Sequence, residues 1–220
     1  MLRLLFEKKG NAIWISHLDL MRLFQRAFKR AGLLLKHTQG FNPRPSVSIA
    51  LPLSVGVESQ CELLEFEIEN EEPVSCERIK EGLNNNLIDG VRILDVYEAG
   101  KKYRELAFLR CRITLDYDNG FPEGAERALK ALFSQKELIL PKKTKNGIQD
   151  QDIIPMIKSV DITAEGEKHI LIDCVICCQN PTLNPAQMIL AIQTFQPAYA
   201  PSFSRCARVE IMDHDMNLFR

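Results

Sequence analysis

The run Leu64-Glu65-Phe66-Glu67-Ile68-Glu69 sets apolar and acidic side chains on alternate sides. A period of two suits an extended strand with one buried face and one outward face. Such a strand needs further strands beside it and a layer over its apolar face. Residues 2–9 are rich in Leu and Phe and close on Lys8-Lys9-Gly10. Val47, Ile49, Leu51 and Leu53 alternate with Ser46, Ser48 and Ala50, and residues 91–97 run Val-Arg-Ile-Leu-Asp-Val-Tyr; each reads as a strand. Helices interleave at 16–31 and at 75–87, the second with Ser75 placed to cap it. The resulting order, βαββαβ, is that of a ferredoxin-like unit, two helices on one face of a four-stranded antiparallel sheet.

The second half reads in the same order. Leu109, Cys111, Ile113, Leu115 and Tyr117 alternate with Arg110, Arg112, Thr114 and Asp116, and a helix follows at 122–134. Residues 157–163 and 168–178 form a hairpin around Glu165-Gly166. A helix at 184–195 has Asn184 as cap and Pro185 in its first position, and residues 205–212 make a last strand. The expected fold class is therefore α+β, two tandem ferredoxin-like (βαββαβ) units with antiparallel sheets. They occupy residues 1–100 and 101–220, divide near Ala99-Gly100-Lys101-Lys102, and the second carries a basic insertion at 136–155. Element order alone supports the duplication; no residue-by-residue repeat accompanies it.

Lysine plus arginine (28) nearly balances aspartate plus glutamate (29), so any site for a polyanion must be local. No stretch approaches the ~18 consecutive apolar residues of a membrane span, and the first residues lack a basic segment leading into a signal-like apolar block. A cytoplasmic protein without membrane contact is expected. Seven cysteines at irregular spacing fit reduced thiols better than a disulfide framework. Cys174-Val175-Ile176-Cys177-Cys178 has no second Cys/His pair nearby, so buried thiols are expected and no metal or other cofactor. The chain has no Cys-x-x-x-Cys-x-x-Cys, no P-loop and no dinucleotide fingerprint.

The local site lies between Trp14 and Glu58. In helix 16–31, Leu20, Leu23, Phe24, Ala27, Phe28 and Ala31 share one arc, while Arg22, Arg26, Lys29 and Arg30 share the opposite one. One face packs and the other is a cationic stripe. Lys36, His37 and Arg44 follow in a loop with Phe41 between them. Pro43 and Pro45 flank Arg44 and stiffen that loop, Gly40-Phe41-Asn42-Pro43-Arg44-Pro45, either as a simple turn or to present Phe41, Asn42 and Arg44 to a ligand. Ser16 with Asp19 fits a helix-capping pattern. His17 has no capping task and can serve as a general acid or base. Lys136, Lys142, Lys143 and Lys145 cluster in the insertion, where a basic loop can add phosphate contacts. Glu65, Glu67 and Glu69 would repel phosphate from the open sheet face, which directs any RNA to the helix and its loop.

At these residues the sequence resembles the bacterial radical SAM-linked protein family, a domain of unknown function. The likeness is carried by Ile15-Ser16-His17-Leu18-Asp19-Leu20-Met21-Arg22, Arg26-Ala27 and Arg30-Ala31-Gly32. It continues through Thr38-Gln39-Gly40-Phe41-Asn42-Pro43-Arg44-Pro45 and Ala50-Leu51-Pro52-Leu53-Ser54-Val55-Gly56, with Glu62 after them. It is close over residues 1–70 and looser beyond, and Leu34 stands where the family tends to have proline. Members occur beside or fused to proteins with cobalamin-binding-like and radical SAM domains. The resemblance implies a radical SAM partner and an RNA substrate.

The expectation is a non-catalytic accessory protein that binds RNA or another phosphate-bearing substrate in partnership with a radical SAM enzyme. Arg22, Arg26, Arg30, Lys36 and Arg44 would contact phosphate, with Phe41 and Asn42 at the ligand. One alternative is a metal-independent RNA-processing enzyme using His17, oriented by Asp19. Another is a protein-protein adaptor without affinity for nucleic acid.

Overall fold

A computed structural model describes residues 1–144 and 147–220, with no side-chain description at 143 and 144. Contacts divide the chain into two compact units, residues 1–105 with 219–220, and residues 106–218. The fold is mixed α+β with antiparallel strand pairing. No helix among the described residues is long and apolar enough to cross a membrane.

In the first unit, β1 (Leu2–Lys8) lies between β4 (Val91–Glu98) and β3 (Val57–Phe66), and β2 (Val47–Ile49) pairs with β3 on the far side, all antiparallel. The helices α1 (His17–Arg30) and α2 (Cys76–Asn84) cover one face. From that face Leu4, Phe6, Leu64 and Phe66 meet Leu20, Phe24, Ala27 and Phe28 of α1 and Ile79 and Leu83 of α2, all buried. Phe6 meets Phe24 edge-on and Phe28 meets Phe66 at a tilt, each with ring centroids 4.8 Å apart. Pairs in this geometry add stabilisation beyond their buried area.

Two strands of this unit depart most from their expected bounds. Alternation ran from Val47 to Leu53, yet β2 ends at Ile49, and Pro52 just beyond it has no N–H to offer a ladder. The strand expected at 64–69 begins seven residues earlier, at Val57. Its first part escapes a hydrophobic pattern because its buried positions include Ser59 and Glu62. Beyond Phe66 the chain continues extended only as far as an isolated bridge between Ile68 and Leu35.

The caps follow the sequence. The Ser75 hydroxyl accepts from the Arg78 N–H, and α2 ends at Asn84, whose side chain accepts from the Ile93 N–H at 2.8 Å and donates to the Ile93 carbonyl at 3.0 Å. Asn84 thus ties α2 to β4, the outer strand of this unit. Gly90 has φ +86° and closes the turn into β4; a Cβ there would sit 2.4 Å from the Lys9 carbonyl oxygen.

In the second unit the strand order is β10 (Phe203–Asp213), β5 (Leu106–Asp116), β9 (His169–Cys177), β8 (Ile157–Glu165), antiparallel throughout. It also contains α3 (Ala125–Phe133) and α4 (Pro185–Phe195). Asn184 and Gln187 form a complete capping box around Pro185. The 136–155 insertion folds as a separate hairpin, β6 (Ile139–Thr144) with β7 (Gly147–Asp152). Within it, Lys136 is exposed, Lys142 donates to the Thr182 carbonyl at 3.3 Å, and Lys145 lies outside the described residues.

All seven cysteines are free thiols. Cys174 donates to the Cys111 carbonyl at 3.6 Å and lies 3.7 Å from the Met188 sulfur, and burial pushes its pKa up to about 12. Such a thiol stays protonated and packs as a small apolar group.

Candidate nucleic-acid interface

Lys8 fixes the entry to the site. Its ammonium is wholly buried and donates to the carbonyls of Ile13 and Ile15 at 3.1 and 3.2 Å, pinning the 3-10 turn Gly10–Trp14 that leads into α1. The next residue, Ser16, is the N-cap and accepts from the Asp19 N–H at 3.2 Å. Its hydroxyl donates in turn to Asp19 Oδ2 at 2.8 Å, while Arg22 donates to Oδ1 at 2.8 Å. The Ser16 hydroxyl first, and Arg22 after it, hold the Asp19 carboxyl below its usual range.

Both oxygens of Asp19 are therefore engaged by other groups, and Asp19 does not orient His17. His17 opens α1 half-buried, and its Nδ1 is shielded from solvent without a hydrogen-bond partner among the described residues. A general base needs an orienting acceptor and reach to a substrate proton. Among the described residues His17 Nδ1 has no such acceptor.

The outer face of α1 carries Arg22, Arg26, Lys29 and Arg30, all exposed. Arg22 is paired to Asp19. The side chains of Arg26, Lys29 and Arg30 make no ion pair or hydrogen bond among the described residues. Asp19, Arg22 and Arg26 line one side of an open groove of about 400 Å³ over Ile15 and Leu23. The helix ends cleanly: Gly32 takes φ +69°, and the Leu33 N–H reaches back to the Phe28 carbonyl at 2.9 Å.

Beyond α1 the Gly/Pro segment is the tip of a hairpin. Leu35 bridges Ile68, His37 bridges Pro45, and the tip closes through the Thr38 N–H to the Arg44 carbonyl (2.8 Å) and the Arg44 N–H to Thr38 Oγ1 (3.0 Å). Phe41 at the apex is fully exposed, with Asn42 and Arg44 exposed beside it. Alternation along residues 35–37 then separates side chains that are neighbours in sequence. Leu35 joins the core under α1, and His37 shares a second groove with Lys29 of α1. Lys36 turns away and pairs with Glu67 at 3.1 Å. The structure therefore brings Arg22, Arg26, Lys29 and Arg30 together on one face and does not place Lys36 among them.

The acidic strand face is also altered by its partners. Glu65 receives the guanidinium of Arg3, which is wholly buried between the rings of Tyr103 and Phe219. Glu67 receives Lys36. Of the three outward glutamates only Glu69 lacks a side-chain partner among the described residues. It lines the second groove, about 360 Å³ in volume, with Gln25, Lys29, Leu33, Leu34, Leu35, His37 and Pro45. The sequence singled out neither Gln25 nor Glu69 for a site. Their signal was the distance between them, which no local pattern carries.

The protein class is thus a mixed α+β protein with antiparallel sheets and a cationic helix face beside an exposed aromatic hairpin tip. Residues 1–185 match a family described as an uncharacterized protein conserved in bacteria (DUF2344), and the chain belongs to that family. No curated protein sequence matches it. Among solved structures it is similar to a chain of a Cbf5-Nop10-Gar1 complex, with a TM-score of 0.53 and 8% identity, over 96% of this chain and 48% of that one. A chain of the archaeal box H/ACA sRNP Nop10-Cbf5 complex follows at a TM-score of 0.44 and 8% identity, over 94% of this chain and 46% of that one. The protein spans about half the length of these solved chains. At such identity the first likeness shows the fold alone, and the second adds nothing to it.

Proposed function

We propose that this protein is a non-catalytic RNA-binding accessory protein whose contact surface is the outer face of α1 and the hairpin tip that follows it. The observation that carries this reading is the row Arg26, Lys29 and Arg30, three exposed cations on one helix face, none of them in an ion pair with a carboxylate among the described residues. Arg26 and Arg30 stand four residues apart on the helix, a spacing at which like charges repel. An unpaired row suits a ligand that brings its own regular negative charge, as a phosphate backbone does. Phe41 supplies a face on which an unpaired base stacks, and Asn42 and Arg44 flank it.

In this reading each half of the chain is a ferredoxin-like unit, a proposal that rests on the strand orders β4-β1-β3-β2 and β10-β5-β9-β8. The first unit carries the RNA surface. Partnership with a radical SAM enzyme rests on the sequence resemblance and is tested by affinity purification of the full chain with identification of bound protein and RNA.

The interface is tested by titrating labelled single-stranded RNA with the wild-type protein and with the Arg26→Ala, Arg44→Ala double variant. Weaker binding with a shallower salt dependence is expected. Unchanged affinity in a folded variant would remove the basis for the proposal.

A further inference from the structure

The groove between the C-terminal half of α1 and the hairpin base has a composition that a merely solvated surface does not need. Its floor is apolar, Leu33 and Leu35 being buried, and its walls are Leu34, which is 56% exposed, and Pro45. Around the rim stand Gln25, Lys29, His37 and Glu69, and none of these four side chains has a hydrogen bond or ion pair among the described residues. The backbone beneath is rigidly held. Asn70 accepts from the Leu34 N–H at 3.0 Å and donates to the Gly32 carbonyl at 2.9 Å, and the Glu69 N–H bonds the Leu34 carbonyl at 2.9 Å. A preformed apolar slot with a few convergent polar groups is the usual form of a small-ligand site.

Lys29 belongs both to this groove and to the cationic face of α1, and Pro45 belongs both to the groove and to the hairpin that carries Phe41. The occupant therefore has a flat apolar body, an edge with hydrogen-bonding groups and an attached phosphate. We infer that this groove takes one unpaired nucleobase of single-stranded RNA, and that Glu69 makes it select guanine. An ionised carboxylate only accepts hydrogen bonds, and guanine presents two adjacent donors, the ring N1–H and the exocyclic amine, that match its two oxygens. The base lies over Leu33 and Leu35, Lys29 meets its phosphate, and the neighbouring base stacks on Phe41. Duplex RNA is excluded, because its bases are paired and cannot be splayed into a slot.

This inference rests on α1 as the phosphate-contacting face, and the experiment separates the two. Fluorescence anisotropy with the full chain would compare single-stranded RNA probes carrying guanine, adenine, cytosine or uracil at one position, and a duplex of the same length. Wild type, Glu69→Gln, Leu34→Ala and Arg26→Ala would be compared; all three substituted positions bear exposed side chains, so the fold tolerates the changes. Single strands should bind better than the duplex, with guanine favoured about tenfold, within the range a good base-edge contact supplies. Glu69→Gln should abolish the guanine preference and leave the salt slope intact, Leu34→Ala should narrow the gap between single strand and duplex, and Arg26→Ala should flatten the slope and keep the base ranking. Equal binding of duplex and single strand, or a base ranking that survives Glu69→Gln, would overturn the groove inference while the α1 reading stands. Absence of RNA binding in the wild type would overturn both.

Discussion

Replacing Arg26, Lys29 and Arg30 together by glutamine should change how RNA binding responds to salt by an amount the structure fixes. Each of these side chains is exposed and unpaired among the described residues, so each can neutralise one phosphate, whereas Arg22 already spends its charge on Asp19 at 2.8 Å. For single strands each neutralised phosphate contributes about 0.7 to the slope of log affinity against log salt, so the three account for a slope of about 2. A rise in salt of about fourfold should then weaken wild-type binding roughly 20-fold through these contacts alone, and the triple variant should lose that share of the response. Glutamine is nearly as good a helix former as lysine or arginine, and no packed residue is touched, so circular dichroism and thermal unfolding should be unchanged. Anisotropy titrations across a salt series are the assay. A folded triple variant with the wild-type slope would mean that the α1 face does not track phosphates.

Asp19→Asn should act in the opposite direction: it keeps an acceptor for the Ser16 hydroxyl but releases Arg22, so RNA binding should tighten and its salt slope should steepen by about 0.7. Weaker binding would show that Asp19 serves the ligand rather than restraining Arg22. Asn84→Ala removes two side-chain bonds to the Ile93 backbone and should cost about 1–3 kcal/mol in urea unfolding, at 0.5–1.5 kcal/mol each, with RNA affinity unaltered once folded. The Asp116 carboxyl is held low chiefly by Arg205 and then by His169, so its folded pKa lies below the ordinary 3.8. A depressed carboxylate stabilises above its unfolded value and loses that contribution as pH falls through the folded one. Arg205→Ala should therefore move acid unfolding to higher pH and leave stability near pH 7 only slightly reduced, the Arg205 side chain being 63% exposed. Acid titration followed by circular dichroism checks the shift.

Most elements of this fold are written locally. α1 has both its apolar arc and its caps in the sequence, as Ser16 and Gly32 show, and Asn184 with Pro185 announces α4. What was not legible depends on partners distant in sequence. The early part of β3 hides because Ser59, Cys61 and Glu62 are buried positions that a hydrophobic pattern does not mark. Among the described residues the β6–β7 hairpin pairs only with itself, and β7 is mostly exposed and polar, so neither strand shows a period of two. Lys36 and His37 are adjacent in sequence and sit on opposite sides of an extended segment, a separation that becomes visible only once residues 35–37 are known to pair with 45 and 68. The second groove unites residue 25 with residue 69, and only the folded chain makes them neighbours.

Whether α1 and the hairpin tip form the RNA surface is tested by ultraviolet cross-linking of the full chain to single-stranded RNA, followed by mass spectrometric mapping of the modified residues. A nucleotide on Phe41 and further adducts within residues 17–45 are expected. Bound RNA that cross-links only within residues 106–218 would contradict that placement.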